Sequence, residues 1–293
     1  MDKTFGKCGK RGYGIVKMIF QHIVNDTFFP LGREPGKAMI GNRTLEDIIS
    51  GCFTGFPDDL IWRSDYLPDK TTLYRLAGKS NFTAVAPDGT ITGTAGTGSE
   101  IIPVSGVRAV YPWDLLEITQ LLAGNIEVND IQGSISCRAE IEGKIILGKN
   151  SRILPGVYIE GNCVIGENCK IGPNCYLRGN TFIGDNCHIG QAVEVKNCII
   201  GNRTSLGHLS YAGDSVIGSR VNFGAGTIIA NLRHDGKNHR SMVNASLVDT
   251  GRRKFGAVIG DDVHTGIHTA IYCGRKIAAG SETAPGTVVK NDL

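Results

Sequence analysis

The sequence predicts a mainly β protein, with a parallel β-helix over residues 126–293 preceded by a small α+β domain over residues 1–125. Three observations carry this. Aliphatic residues recur at every sixth position through the second half of the chain. Glycine fills 40 of the 293 positions, about twice the usual share. Only 7% of residues are aromatic, too few for an ordinary globular core of this size.

The repeat itself comes first. From Leu147 the chain reads LGKNSR ILPGVY IEGNCV IGENCK IGPNCY LRGNTF IGDNCH IGQAVE. Leu147, Ile153, Ile159, Ile165, Ile171, Leu177, Ile183, Ile189 and Val195 form one unbroken series of anchors. A five-residue step leads to Ile200 and then Leu206; a second leads to Ile217, followed by Phe223 and Ile229. The register resumes at Ile259, Thr265, Ile271, Ile277, Thr283 and Val289. A period of six fits neither an α-helix nor a lone amphipathic strand. It fits a coil with three short flat faces, stacked on its neighbours about 4.8 Å apart as parallel strands. The residue after each anchor is mostly Gly, as at 148, 166, 172, 184, 190, 201, 207, 218 and 224, which suggests corners that need permissive backbone angles. Four residues after the anchor comes a second, small inward position, holding Cys163, Cys169, Cys175 and Cys187. Core packing therefore explains these thiols better than a metal site, whose ligands would converge rather than spread over three faces.

Composition excludes several classes. With 41% hydrophobic residues and a net charge of +3 the chain is not disordered, nor drawn generally to nucleic acid or membrane. No apolar run approaches a membrane span, and the basic opening MDKTFGKCGKRGYG is not followed by a signal-peptide pattern. The nine cysteines do not read as a disulfide framework. A soluble, cytoplasmic protein is expected.

Departures from the repeat point to function. Glu160, Arg178 and Lys196 replace the corner Gly and stand 18 residues apart, so they should form one column. Arg178 and Lys196 would then lie about 5 Å from each other, which suits a phosphate between them, or a solvated ladder in which Glu160 pairs with Arg178. His208, two residues after Leu206, is an exposed candidate general base, with Glu194 a candidate to fix its tautomer. Asn222 and Asn231 are polar residues beside turns. Residues 232–258 then leave the repeat as a loop rich in Arg, Lys and His, including Lys237, His239, Arg252 and Lys254.

These residues carry a family resemblance. VEVKN, LGHLSYAGDSVIGSRVNFGAGTIIAN and the DGK that follows resemble the acetyltransferase domain of the bifunctional glucosamine-1-phosphate acetyltransferase/N-acetylglucosamine-1-phosphate uridyltransferases. The archaeal-type sugar-1-phosphate nucleotidylyltransferase/acetyltransferases are closer still, their loop resembling NLRHDGK and DTGRRKFGA. The resemblance covers roughly residues 126–293 and implies a left-handed β-helix acting as a homotrimer, with sites between neighbouring subunits. It implies His208 as the base, oriented by Glu194, and Arg178, Lys196 and Tyr211 on the sugar phosphate with Asn222 at the sugar. Asn231 and Ala225 would meet acetyl-CoA, and Lys237 or Lys254 would come from the loop. No metal is needed for such a transfer. Leu232, Ile267 and Pro285 depart from the bacterial pattern, and the chain lacks the basic C-terminal arm of those enzymes.

The first 125 residues say less. Residues 14–25 and 45–53 read as short helices and 81–110 as strands and turns, while TGTAGTGSE lacks the GK[ST] of a phosphate loop. VRAVYPWDLLEITQLLAGNI resembles the strand and closing helix of sugar nucleotidylyltransferases, whose Gly-rich nucleotide-binding opening is missing. A shortened remnant without uridylyltransferase activity is expected. The sequence thus predicts an acetyl-CoA-dependent N-acetyltransferase of an amino-sugar phosphate in nucleotide-sugar biosynthesis. The alternatives are a catalytically inactive trimeric scaffold and a metal-dependent anhydrase, which would need three of His188, His208, His234, His264 and His268 to converge.

Overall fold

The computed structural model describes residues 18–23, 28, 30, 31 and 34–293. Two compact units divide the chain: Met1–Val24, Glu34–Lys37 and Thr44–Ala109 form one, and Asn25–Arg33, Ala38–Arg43 and Val110–Leu293 the other.

In the first unit a five-stranded mixed sheet takes the order Ile19–Gln21, Ile61–Arg63, Ile91–Ala95, Phe82–Val85, Glu100–Pro103. Two helices accompany it, α1 (Leu45–Cys52) and α2 (Lys70–Leu76). Helix α1 starts where Thr44 and Asp47 cap each other reciprocally, and α2 where the Asp69 carboxylate accepts from Thr72 N. The helix expected at 14–25 is absent from its described part. Ile19, Phe20 and Gln21 instead pair in parallel with Ile61, Trp62 and Arg63. A short apolar run is ambiguous between the two states, and here the strand partner decides.

The second unit is the parallel β-solenoid the spacing predicts. Three parallel sheets of eight, seven and eight strands run its length. Register advances by 18 residues per coil, as in Ile145↔Cys163↔Thr181, and by 17 at Phe182↔Ile199 and Ile199↔Val216. Both five-residue steps fall at the corner between the third sheet and the first. The anchors and the small positions form one core: Leu147, Ile153, Ile159, Cys163, Cys169, Cys175 and Cys187 are all buried, and Cys187 N donates to Cys169 Sγ at 3.4 Å one coil below.

Most of the corner glycines serve a purpose other than the one their position suggests. Left-handed backbone occurs two residues further on, at Asn150, Asn168, Asn186, Arg203, Arg220 and Asp262, with φ between 57° and 59°. Asn and Asp tolerate that region better than most residues. Most of the Gly column is needed instead because the coils approach too closely for a side chain; Gly172, at φ 96°, does use the permissive angle, and Gly207 faces open space. A Cβ on Gly148 would sit 2.5 Å from the carbonyl carbon of Gly166, and one on Gly201 would sit 2.7 Å from that of Gly218.

The outward side of the first sheet is also apolar, through Phe182, Ile199, Val216 and Val258, all buried. Within the same unit it meets helix α3 (Leu115–Gly124), whose Ala123 carbonyl accepts from Asn162 Nδ2 at 2.8 Å. Trp113 lies edge-on to Phe255, 5.8 Å between ring centres. The second sheet keeps a polar outer face, and the third mixes charged groups and tyrosines with the exposed Ile228 and Val288.

Candidate active site

The third sheet gathers most of the predicted residues. Tyr158, Tyr176, Glu194 and Tyr211 stand in register on successive coils, beside a second column of Glu160, Arg178, Lys196 and Gly213. Arg178 and Lys196 stand in register as the spacing predicts, each with a carboxylate of its own, and the pairing of Glu160 with Arg178 is not made. Arg178 Nε and Nη2 both lie 2.7 Å from Glu194 Oε1, while Glu160 accepts from the Tyr176 hydroxyl. Burial opposes the Arg178 charge, but Glu194 beside it outweighs this and raises its pKa. Lys196 Nζ lies 3.2 Å from Asp214 Oδ2, with only 12% of its side chain exposed.

Asp214 is the residue sequence reasoning missed. It occupies the second shortened corner, in left-handed backbone at φ +49°, and is buried. Its Oδ2 also accepts from Asn231 Nδ2 at 2.6 Å, and its Oδ1 from Asn197 Nδ2 at 3.1 Å. Asn231 Nδ2 is 3.0 Å from the Tyr211 hydroxyl as well. Burial raises the pKa of Tyr211, helped by Glu194 and Asp214. Lys196, Tyr211 and Asn231 therefore meet in one hydrogen-bonded cluster spanning three coils. The available signal was the second five-residue step, which puts an acid at a corner where other coils carry Gly or Asn.

The excursion after Asn231 is ordered. Its neck closes through Phe255 N to Asn231 O at 3.0 Å, Gly256 N to Asp214 O at 2.9 Å and an antiparallel bridge between Leu232 and Lys254. Beyond it Arg240–Val243 and Ser246–Asp249 form a hairpin. Lys237 is exposed, its N–H on Asp235 Oδ1 at 3.1 Å. His239 and Arg252 face each other across the neck, His239 N donating to Arg252 O at 2.9 Å. Their Nε2 and Nε are the two buried side-chain nitrogens without a partner among the described residues. Burial lowers the pKa of both groups.

His208 sits at the opposite edge of the third sheet, at the corner it shares with the second. Its carbonyl accepts from Ser210 Oγ at 2.8 Å and Gly226 N at 3.2 Å, which fixes the backbone. Its exposed ring makes no side-chain hydrogen bond among the described residues, and Glu194 is engaged by Arg178. Ala225 takes the corresponding corner one coil on, its carbonyl accepting from His268 N at 2.8 Å. Asn222 is exposed on the second sheet, between Ser205 and His264. Six residues of extended chain separate His208 from Asp214, on the order of 15–20 Å. One chain thus presents His208 at one edge of the face and the Lys196 cluster at the other. A cleft of about 280 Å³ lies lower on the same face, lined by Tyr158, Asn174, Tyr176 and Glu194.

Residues 159–278 match the family described as the GMPPB C-terminal domain. A bifunctional sugar-1-phosphate nucleotidylyltransferase/acetyltransferase of Sulfurisphaera tokodaii is 42% identical over 182 residues, 62% of this chain and 45% of that one. A bifunctional protein GlmU of Methanococcus maripaludis is 46% identical over 183 residues, 62% of this chain and 44% of that one. The solenoid resembles the C-terminal domain of GlmU-type proteins. The chain spans a little under half the length of these relatives. Among solved structures, the Francisella novicida UDP-N-acetylglucosamine acyltransferase aligns at 18% identity over 57% of this chain and 62% of that one. The TM-score of that alignment is 0.37.

One cluster of potential metal ligands lies among the described residues, His22, Glu34 and Glu46 in the first unit, where the Lys37 ammonium already stands 2.5 Å from Glu46. No described helix is long and apolar enough to cross a membrane.

Proposed function

We propose that the solenoid transfers an acetyl group from acetyl-CoA to the amine of an amino-sugar phosphate such as glucosamine-1-phosphate. The observation that carries this is the cluster of Lys196, Tyr211 and Asn231 on the third sheet, with an exposed His208 at the corner where that sheet meets the second. A buried ion pair with a hydrogen-bonded amide is a costly way to build a surface, and His208 has no structural task. In the proposed reaction the His208 imidazole takes a proton from the sugar ammonium. The freed lone pair attacks the thioester carbonyl, and the tetrahedral intermediate collapses with loss of the CoA thiolate, which is reprotonated. A positioned base contributes about 10²–10⁴-fold. Backbone N–H groups near the carbonyl oxygen stabilise the oxyanion; the Ala225 turn and the carbonyl oxygen of Asn231, whose Nδ2 is held by Asp214 and Tyr211, are assigned to the acetyl-CoA side. Arg178, Lys196 and Tyr211 serve the phosphate, Asn222 the sugar and Lys237 the loop side of the site.

Within one chain the Arg178, Lys196, Glu194 and Asp214 charges sum to zero, so further positive charge for the phosphate comes from the basic excursion or from a neighbouring copy. The distance from His208 to the Lys196 cluster fits a homotrimer whose sites lie between subunits, with the base of one copy facing the cluster of the next. The same ion pairs would serve an inactive scaffold, and the test separates the two. Thiol release from acetyl-CoA with glucosamine-1-phosphate should be robust for the wild type and reduced at least about 10²-fold in His208→Ala, with the oligomer intact. Turnover unaffected by the substitution would overturn the base assignment, and silence of the wild type across amino-sugar phosphates would favour the scaffold. UTP with N-acetylglucosamine-1-phosphate should release no pyrophosphate.

A further inference from the structure

We propose that Asp214 is a positioning residue, which fixes the Lys196 ammonium for the phosphate of the acceptor and the orientation of the Asn231 amide on the acetyl-CoA side. The inference rests on the function proposed above. A single carboxylate oxygen, Oδ2, takes Lys196 Nζ from the coil below at 3.2 Å and Asn231 Nδ2 from the coil above at 2.6 Å. The acid itself is immobile: its N–H donates to Lys196 O at 2.7 Å, its carbonyl accepts from Gly256 N at 2.9 Å, and its side chain is 4% exposed. A lysine on an open sheet face samples many rotamers, and this contact selects one.

The effect on Asn231 is more specific. A side-chain amide has two orientations that differ little in shape, so its neighbours must choose between them. An ionised carboxylate only accepts, so it forces Nδ2 inward, where the same nitrogen also reaches the Tyr211 hydroxyl at 3.0 Å. The Asn231 carbonyl oxygen is left facing away from Asp214. Replacing Asp214 by Asn keeps the shape but makes either orientation of Asn231 acceptable and removes the counter-charge of Lys196.

Charge alone predicts the opposite outcome to positioning. Removing a carboxylate beside a phosphate site should tighten anion binding; losing a positioning group should weaken it. The experiment is calorimetric binding of glucosamine-1-phosphate to the full chain, with acetyl transfer measured alongside. Asp214→Asn should weaken binding and raise KM by about tenfold, with a smaller fall in kcat from the freed Asn231 amide, and the pH profile should keep its shape. Unphosphorylated glucosamine should show no such difference. Asn197→Gly, which removes the partner of the other carboxylate oxygen, should bind as the wild type does. Lys196→Gln should act through the same pair, so its effect and that of Asp214→Asn should not add even where one variant is less stable. Unchanged or tighter binding by Asp214→Asn, additive effects, or no binding by the wild type would overturn the proposal. Wild-type binding without acetyl transfer would overturn the catalytic reading and leave this one standing.

Discussion

Asp114 offers a direct test of the electrostatics behind the candidate site. Its carboxylate accepts from Val110 N at 2.9 Å and Tyr111 N at 2.8 Å, just ahead of α3. Burial pushes its pKa up from 3.8 to about 6; the two N–H donors and Arg252 pull the other way without winning. A carboxyl whose folded pKa lies above its unfolded value contributes stability that is complete below the unfolded pKa and is lost as pH rises through the folded one. The shift of about two units corresponds to about 3 kcal/mol. Asp114→Asn keeps an acceptor for the two N–H groups and removes the titration. Relative to wild type, the variant should gain about 0.5 kcal/mol at pH 4 and about 3 kcal/mol by pH 7, most of the rise falling between those values. Urea unfolding of both proteins at pH 4, 5, 6 and 7, followed by tryptophan fluorescence, measures this difference. A gap that stays flat across the series, or that closes as pH rises, would show that Asp114 is solvated or paired in a way the geometry does not allow.

Two further outcomes test the packing. Gly201→Ala should destabilise by about 1–3 kcal/mol although its φ is ordinary, because the new methyl meets backbone that cannot yield; Asn186→Gly, at a left-handed corner with φ 58°, should be close to neutral in the same melt. Trp113→Ala should cost about 3–5 kcal/mol, since the ring is buried against Phe255 at the neck of the excursion. Equal melting of the Gly201 and Asn186 variants, or of the Trp113 variant and wild type, would contradict these assignments.

The coil, its three faces and its inward cysteines were legible because a six-residue period admits few other structures. The period could not say why the glycines stand where they do, since a corner and a close approach both select Gly; only the contact from Gly148 to Gly166 separates them. The Arg178–Lys196 column was legible as spacing. Its carboxylates were not, because Glu194 reaches Arg178 diagonally across the face and Asp214 reaches Lys196 from the next coil. Ile19–Gln21 was misread as helical because its partner, Ile61–Arg63, lies forty residues on. Three residues of sequence hold no trace of that.

The shortened corners have a consequence for how such a protein changes over generations. Both shortened corners occur on one edge of the prism, each leaves the faces aligned, and Lys196, Asp214 and Asn231 meet at that edge. Gain or loss of a whole coil would move functional groups along the axis in steps of about 4.8 Å without turning them to another side. The distance between a base and an anion site can thus be reset in fixed increments, as on a ruler. The direction in which each group points is inherited unchanged.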